Sequence, residues 1–119
     1  MKTSNFAKSG SDPNAVAICR QVPKGWPGRR YLSLAPTWAM LKLAEAEYRA
    51  QYAAILARHD PAQVYAELGE DAVLLCWEAE GKSCHRRLIA EWLEAYLGIE
   101  VPEVETVKPR PRVGQEELF

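Results

Sequence analysis

The chain has no long hydrophobic run. No window approaches the ~18 uninterrupted apolar residues of a membrane-spanning helix, so no membrane partner is expected. The first residues, MKTSNFAKSGSDPN, lack the apolar centre of a secretory signal, and a cytoplasmic location is expected. Cysteine is scarce: there are 3, an odd number, with no CxxC pair. A disulfide framework is therefore a poor explanation for them, and reduced thiols are expected. Neither sign of charge dominates, since 15 Lys and Arg stand against 16 Asp and Glu. Any affinity for a polyanion must come from local patches.

What is present is the mixture of an ordinary folded domain, 48% apolar and 26% charged over 119 residues, enough for one core and too short for two. NAVAICR, residues 14–20, is a β-prone run with a polar tip and is the first expected strand. QVPKGWPGRRYLSLAP, residues 21–36, is broken by Pro and Gly and reads as a long loop carrying Lys24, Arg29 and Arg30. Long loops in small domains tend to carry function. From Thr37 the composition turns helical, in two pieces, with Tyr48, Tyr52, Ile55 and Leu56 on one stripe facing the core. Asp60 and Pro61 supply a cap and a first-turn proline for PAQVYAEL, which Gly69 ends.

DAVLLCWE, residues 71–78, is a nearly continuous apolar run of strand length, as in a central strand covered on both faces. Ser83 is placed to cap a helix from Cys84 whose stripe is Leu88, Trp92 and Ala95 or Tyr96, with Gly98 closing it. IEVPEV then reads as a third strand, at an edge because of Pro102. The alternation of strands and helices predicts an α/β fold: a small, mainly parallel, three-stranded sheet with flanking helices in a single domain, residues 1–107. Residues 108–119 read as a mobile basic tail.

In open parallel sheets ligands sit outside the carboxyl ends of the strands. That rule gathers Cys19 and Arg20, Cys76 to Glu78, and Cys84 to Arg87 on one rim. Cys84 falls in the first turn of its helix, where the helix dipole and nearby basic residues favour negative charge. Two chemistries stay open. Cys84 is a reactive thiolate with His85 or Glu78 handling protons; or Arg86, with Arg29 and Arg30, holds a phosphate while Glu78 is the acid or base. A zinc site from Cys19, Cys76, Cys84 and His85 lacks paired knuckles, so neither a metal nor a cofactor is expected. The plainer account makes Cys19 and Cys76 buried packing residues, and Cys84 and His85 capping ones. Trp26 and Trp77 are either base-stacking surfaces or core, and Trp92 is core.

These residues carry a resemblance. AVAICRQVPKGWPGRRYLSLAPTW, AEYRAQYAAIL, VLLCWE and CHRRLIAEWL together resemble the DUF488 family of bacterial and phage proteins, over most of residues 3–104. The most specific piece is a strand ending LLCxE followed by CHR opening a helix, met here by Cys76, Glu78, Cys84, His85 and Arg86. Arg20 matches the arginine that relatives carry after the first strand, while Cys19 stands where serine is expected. The resemblance implies the fold and the place of the site, and supplies no reaction.

The last five residues, QEELF, resemble the short peptide with which bacterial replication and repair proteins bind the sliding clamp. Gln115 would bond in one subpocket and Leu118 and Phe119 enter an apolar one, on a flexible tether. The sequence thus points to a nucleotide- or nucleic-acid-binding protein, with hydrolysis of the bound group as its catalytic form. The alternative is a non-catalytic adaptor delivered to the clamp.

Overall fold

Residues 2–5 are Lys, Thr, Ser and Asn, a stretch with no apolar signal, yet they form a strand whose last three residues are buried. This was found in a computed structural model, which describes residues 1–77 and 85–104. The strand, β1 (Lys2–Asn5), is followed by a single helical turn, α1 (Phe6–Ser9). Next come β2 (Ala15–Ala17) and a two-residue strand, β3 (Arg29–Arg30), inside the long loop. A 3-10 turn at Trp38–Lys42 precedes α2 (Glu45–Leu56) and α3 (Pro61–Leu68). The chain then makes β4 (Val73–Cys76) and α4 (His85–Leu97).

The sheet is parallel with order β1-β4-β2-β3, so among the described residues it has four strands where three were expected. The α/β class is as expected. β1 pairs with β4 from Lys2 opposite Val73 to Asn5 opposite Cys76. The expected third strand, IEVPEV, contributes a single parallel bridge, Glu103 to Thr3, on the outer side of β1. Pro102 cannot donate to a ladder, which fits so short a pairing.

β4 lies between two neighbours and is buried along its whole length, as its apolar run predicts. Leu74, with Val16 and Ile18, packs under Tyr52, Leu56, Val64, Leu68, Ile89 and Leu93, so α2, α3 and α4 cover one face. Each such fully buried aliphatic side chain stabilises the fold by about 1.5–3 kcal/mol. The other face has a thinner cover, in which Val73 and Leu75 pack with Phe6 and Trp26. No helix among the described residues is long and apolar enough to cross a membrane.

Local signals act as chemistry predicts in α3: Asp60 accepts from the Ala62 amide at 3.0 Å, Pro61 starts the helix, and Gly69 takes φ 96° at its end. The expected stripe of α2 holds, with Tyr52 and Leu56 buried and Tyr48 and Ile55 packed beside them. The stripe of α4 does not. Its buried residues are His85, Arg86, Ile89, Ala90 and Leu93, while Leu88 and Trp92 only flank the core and Tyr96 is exposed. Two polar residues on the buried face shifted the expected stripe around the helix. The Ser83 cap and the tail, residues 108–119, lie outside the described residues.

Candidate functional site at the carboxyl rim of the sheet

The carboxyl ends of β1, β2 and β4 meet the start of α4. Asn5, ending β1, caps α1 by accepting from the Lys8 amide at 2.9 Å. Ser4 and Ser9 share a buried hydrogen bond of 2.7 Å between their hydroxyls. On β2 the chain continues through Ile18, whose amide donates to the Leu75 carbonyl at 3.1 Å, and on to Cys19 and Arg20. Among the described residues the buried polar side chains are Thr3, Ser4, Asn5, Ser9, His85 and Arg86. Such groups persist in a core only where they are hydrogen-bonded.

His85 is buried with Nε2 donating to the Ile18 carbonyl at 2.6 Å, which fixes the tautomer. Its ring meets Tyr52 edge to face at 5.5 Å. Burial pushes its pKa down to about 4; the bond to Ile18 opposes the shift, and the Arg86 charge adds to it. At neutral pH His85 is uncharged. It therefore adds no positive charge to the start of α4.

Arg86 differs most from expectation. Its side chain is 1% exposed, and its guanidinium is committed within the protein. Nη2 donates to Glu103 Oε2 at 2.7 Å, Nε reaches both carboxylate oxygens at 3.1 Å, and Nη1 donates to Cys76 Sγ at 2.9 Å. Glu103 also accepts from the Thr3 hydroxyl at 2.5 Å, and Arg87 Nη1 donates to Thr3 Oγ1 at 2.7 Å and to the Val101 carbonyl at 2.8 Å. Burial alone would raise the Glu103 pKa, but its bonds to Arg86 and Thr3 and the charges of Arg86 and Arg87 hold it below its usual value. A guanidinium so enclosed joins α4 to the far edge of the sheet and presents no face to a phosphate in solution. The expected phosphate role of Arg86 is corrected accordingly.

Arg29 is also corrected. Its Nη1 and Nη2 donate to the Leu68 and Glu67 carbonyls, each at 3.0 Å, so it satisfies the carbonyl end of α3. That end leads directly into the start of β4, at the amino side of the sheet, away from the rim. Nearby, the Tyr31 hydroxyl donates to Glu67; burial, that bond and the Glu67 charge raise the Tyr31 pKa to about 12.

Arg20 and Arg30 do belong to the rim. Arg20 Nε donates to the Pro36 carbonyl at 2.8 Å, and among the described residues its Nη atoms meet no acceptor. Arg30 is exposed, and its Nη2 donates to the Arg20 carbonyl. Trp77 is 48% exposed, and its indole Nε1 donates to the Gln21 carbonyl at 2.7 Å, with Phe6 supporting the ring at 4.9 Å. Trp26, by contrast, is tied inward: Nε1 donates to the Gly10 carbonyl at 2.7 Å, and the ring packs edge-on to Phe6. Cys19 is buried and its Sγ donates to the Gln21 carbonyl at 3.1 Å, a packing role. Cys76 is disulfide-bonded, against the expectation of reduced thiols.

Among the described residues no three His, Cys, Asp or Glu cluster as a metal site would require. Glu78 and Cys84, and the tail residues Gln115, Leu118 and Phe119, lie outside the described residues. Sequence reasoning missed Thr3, Ser4, Asn5, Ser9 and Glu103. The reach of the family resemblance back to residue 3 is the one signal that could have found the first of them.

A family model described as "Active DUF488-N3 subclade", DUF488-N3a, matches residues 6–97. No curated protein and no solved structure matches the chain.

Proposed function

The chain belongs to the DUF488-N3a family, and from that premise we propose that its carboxyl rim binds a nucleotide or nucleic acid. One observation carries the reading: adjacent carbonyls, those of Arg20 and Gln21, accept from Arg30 Nη2 and Trp77 Nε1, so two arginines and an exposed indole stand together at the strand ends. Arginine suits phosphate because its planar fork donates two bonds at once and stays charged at any working pH. An indole anchored through its N–H keeps its face available for a base. His85, bonded to the Ile18 carbonyl two residues before Arg20, supports the rim without touching the ligand.

Titration of the purified chain with labelled nucleotides and oligonucleotides tests this. Arg20→Ala and Arg30→Ala should each weaken binding about tenfold or more, as for a lost charge-assisted bond. Absence of binding at low salt to every nucleotide and oligonucleotide tried would remove the reading. The catalytic form has Glu78 as acid or base, and the word "active" in the subclade description favours testing it. Glu78→Gln should then abolish turnover while leaving affinity in place.

The QEELF tail favours a second reading, recruitment to the bacterial sliding clamp. Titration against clamp with and without residues 115–119 decides it, and unchanged affinity on truncation removes it.

A further inference from the structure

We infer that the rim takes single-stranded nucleic acid across at least two bases, with Trp38 as a second stacking surface beyond Trp77. This rests on the rim reading above and specifies its substrate class.

Charge comes first. Between Asp12 and Glu45 there is no acidic residue, while Arg20, Lys24, Arg29, Arg30 and Lys42 all fall there, in a chain whose formal charge is -1. With Arg29 engaged on α3, the other four cations remain in a stretch that itself contains no acidic residue, and among the described residues none of them forms an ion pair. Exposed apolar surface is concentrated in the same region. Of the five exposed large hydrophobic side chains among the described residues, Leu32, Trp38 and Leu41 lie in this stretch, and Trp77 is bonded to it through Gln21.

The stretch is also held in place. Arg20 Nε fixes Pro36, Thr37 Oγ1 accepts from the Met40 amide at 3.3 Å, and Met40 is buried. The 3-10 turn is thereby anchored while Trp38 stays 58% exposed and Leu41 57% exposed. Arg20 is linked on one side to the turn carrying Trp38 and on the other, through Gln21, to Trp77. Indole, cation, indole is the complement of base, phosphate, base. A duplex stacks its bases on one another and offers no faces to such a surface, and a mononucleotide can use only one of the two indoles.

The experiment is fluorescence anisotropy with the full chain, using labelled single-stranded DNA of two to twelve nucleotides, a duplex of the longest, a labelled mononucleotide, and vesicles containing anionic lipid. Affinity is expected to rise with single-strand length and to exceed that for the duplex. Trp38→Ala should weaken binding of the longer strands roughly 5- to 100-fold, as for one lost stack, and weaken mononucleotide binding by clearly less. Arg20→Ala should flatten the logarithmic salt dependence by about 0.7, one phosphate contact. If the mononucleotide binds and longer strands bind no better, or Trp38→Ala changes nothing, the inference falls while the rim reading stands. If no nucleotide or strand binds, both fall. Binding of vesicles in place of DNA would identify a lipid surface as the occupant and overturn the inference.

Discussion

Arg86 and Glu103 join the buried face of α4 to the segment outside β1, through an ion pair in which the guanidinium reaches both carboxylate oxygens. The arginine is enclosed and the glutamate is partly open to water, so the two partners are unequal. A buried charge that loses its counterion is costly, whereas a carboxylate near the surface can be rehydrated.

Glu103→Gln should therefore destabilise the protein by about 3–5 kcal/mol, and Arg86→Met by less. Urea unfolding of the two single variants and the double variant measures this, and the double should cost less than the sum. Equal costs in the singles would contradict the asymmetry of exposure.

Acid should weaken the fold through His85. Unfolded, it takes a proton near pH 6.5; folded, near 4. Between those values the unfolded chain holds the extra proton, so stability falls as pH drops, by ~3 kcal/mol across the window. Glu103, whose pKa is lowered by folding, contributes stability that is present above its unfolded value and is lost at still lower pH. Thermal melts of His85→Gln should lose most of the slope between pH 6.5 and 4 while keeping the loss below it.

Arg29 and Arg30 are neighbours in sequence with separate tasks. Arg29→Ala should cost about 1 kcal/mol, because the last carbonyls of α3 lose their donor and countercharge, and should leave ligand affinity unchanged. Arg30→Ala should do the reverse. One set of melts and one set of binding curves on the two variants checks both.

Tyr52→Phe removes a buried hydroxyl that donates to the Leu34 carbonyl at 2.6 Å. The carbonyl is left without that partner inside the core, and a loss of about 1–2 kcal/mol is expected from chemical denaturation.

Elements that advertise themselves through apolar pattern or cap chemistry were legible in the sequence: the run VLLC as β4, and α3 between Asp60 and Gly69. β1 was not, because its buried side chains are hydroxyls and an amide whose partners are remote. Thr3 depends on Glu103 and Arg87, and Ser4 on Ser9. Hydrophobic periodicity cannot register a strand that is buried by hydrogen bonding.

The candidate site was legible by position and only partly by role. Arginines near a helix start suggest anion binding, and the rule of strand ends points to Arg20, which follows the end of β2. What Arg86 does instead depends on a carboxylate supplied 17 residues later, after a turn whose path no local pattern fixes. The same holds for Arg29, whose acceptors are 38 and 39 residues away.

The sheet order has a bearing on how the chain folds. β4 stands between β1 and β2, and the partners of β1 are about seventy positions away in sequence. Until residues 73–76 emerge from the ribosome, the two earliest strands have no common neighbour, and β1 has only its own polar side chains to recommend it. Assembly is thus governed by a late, distant pairing, which slows folding relative to a helical protein of this size. Nascent chains stopped short of β4 should remain accessible to protease at their amino ends.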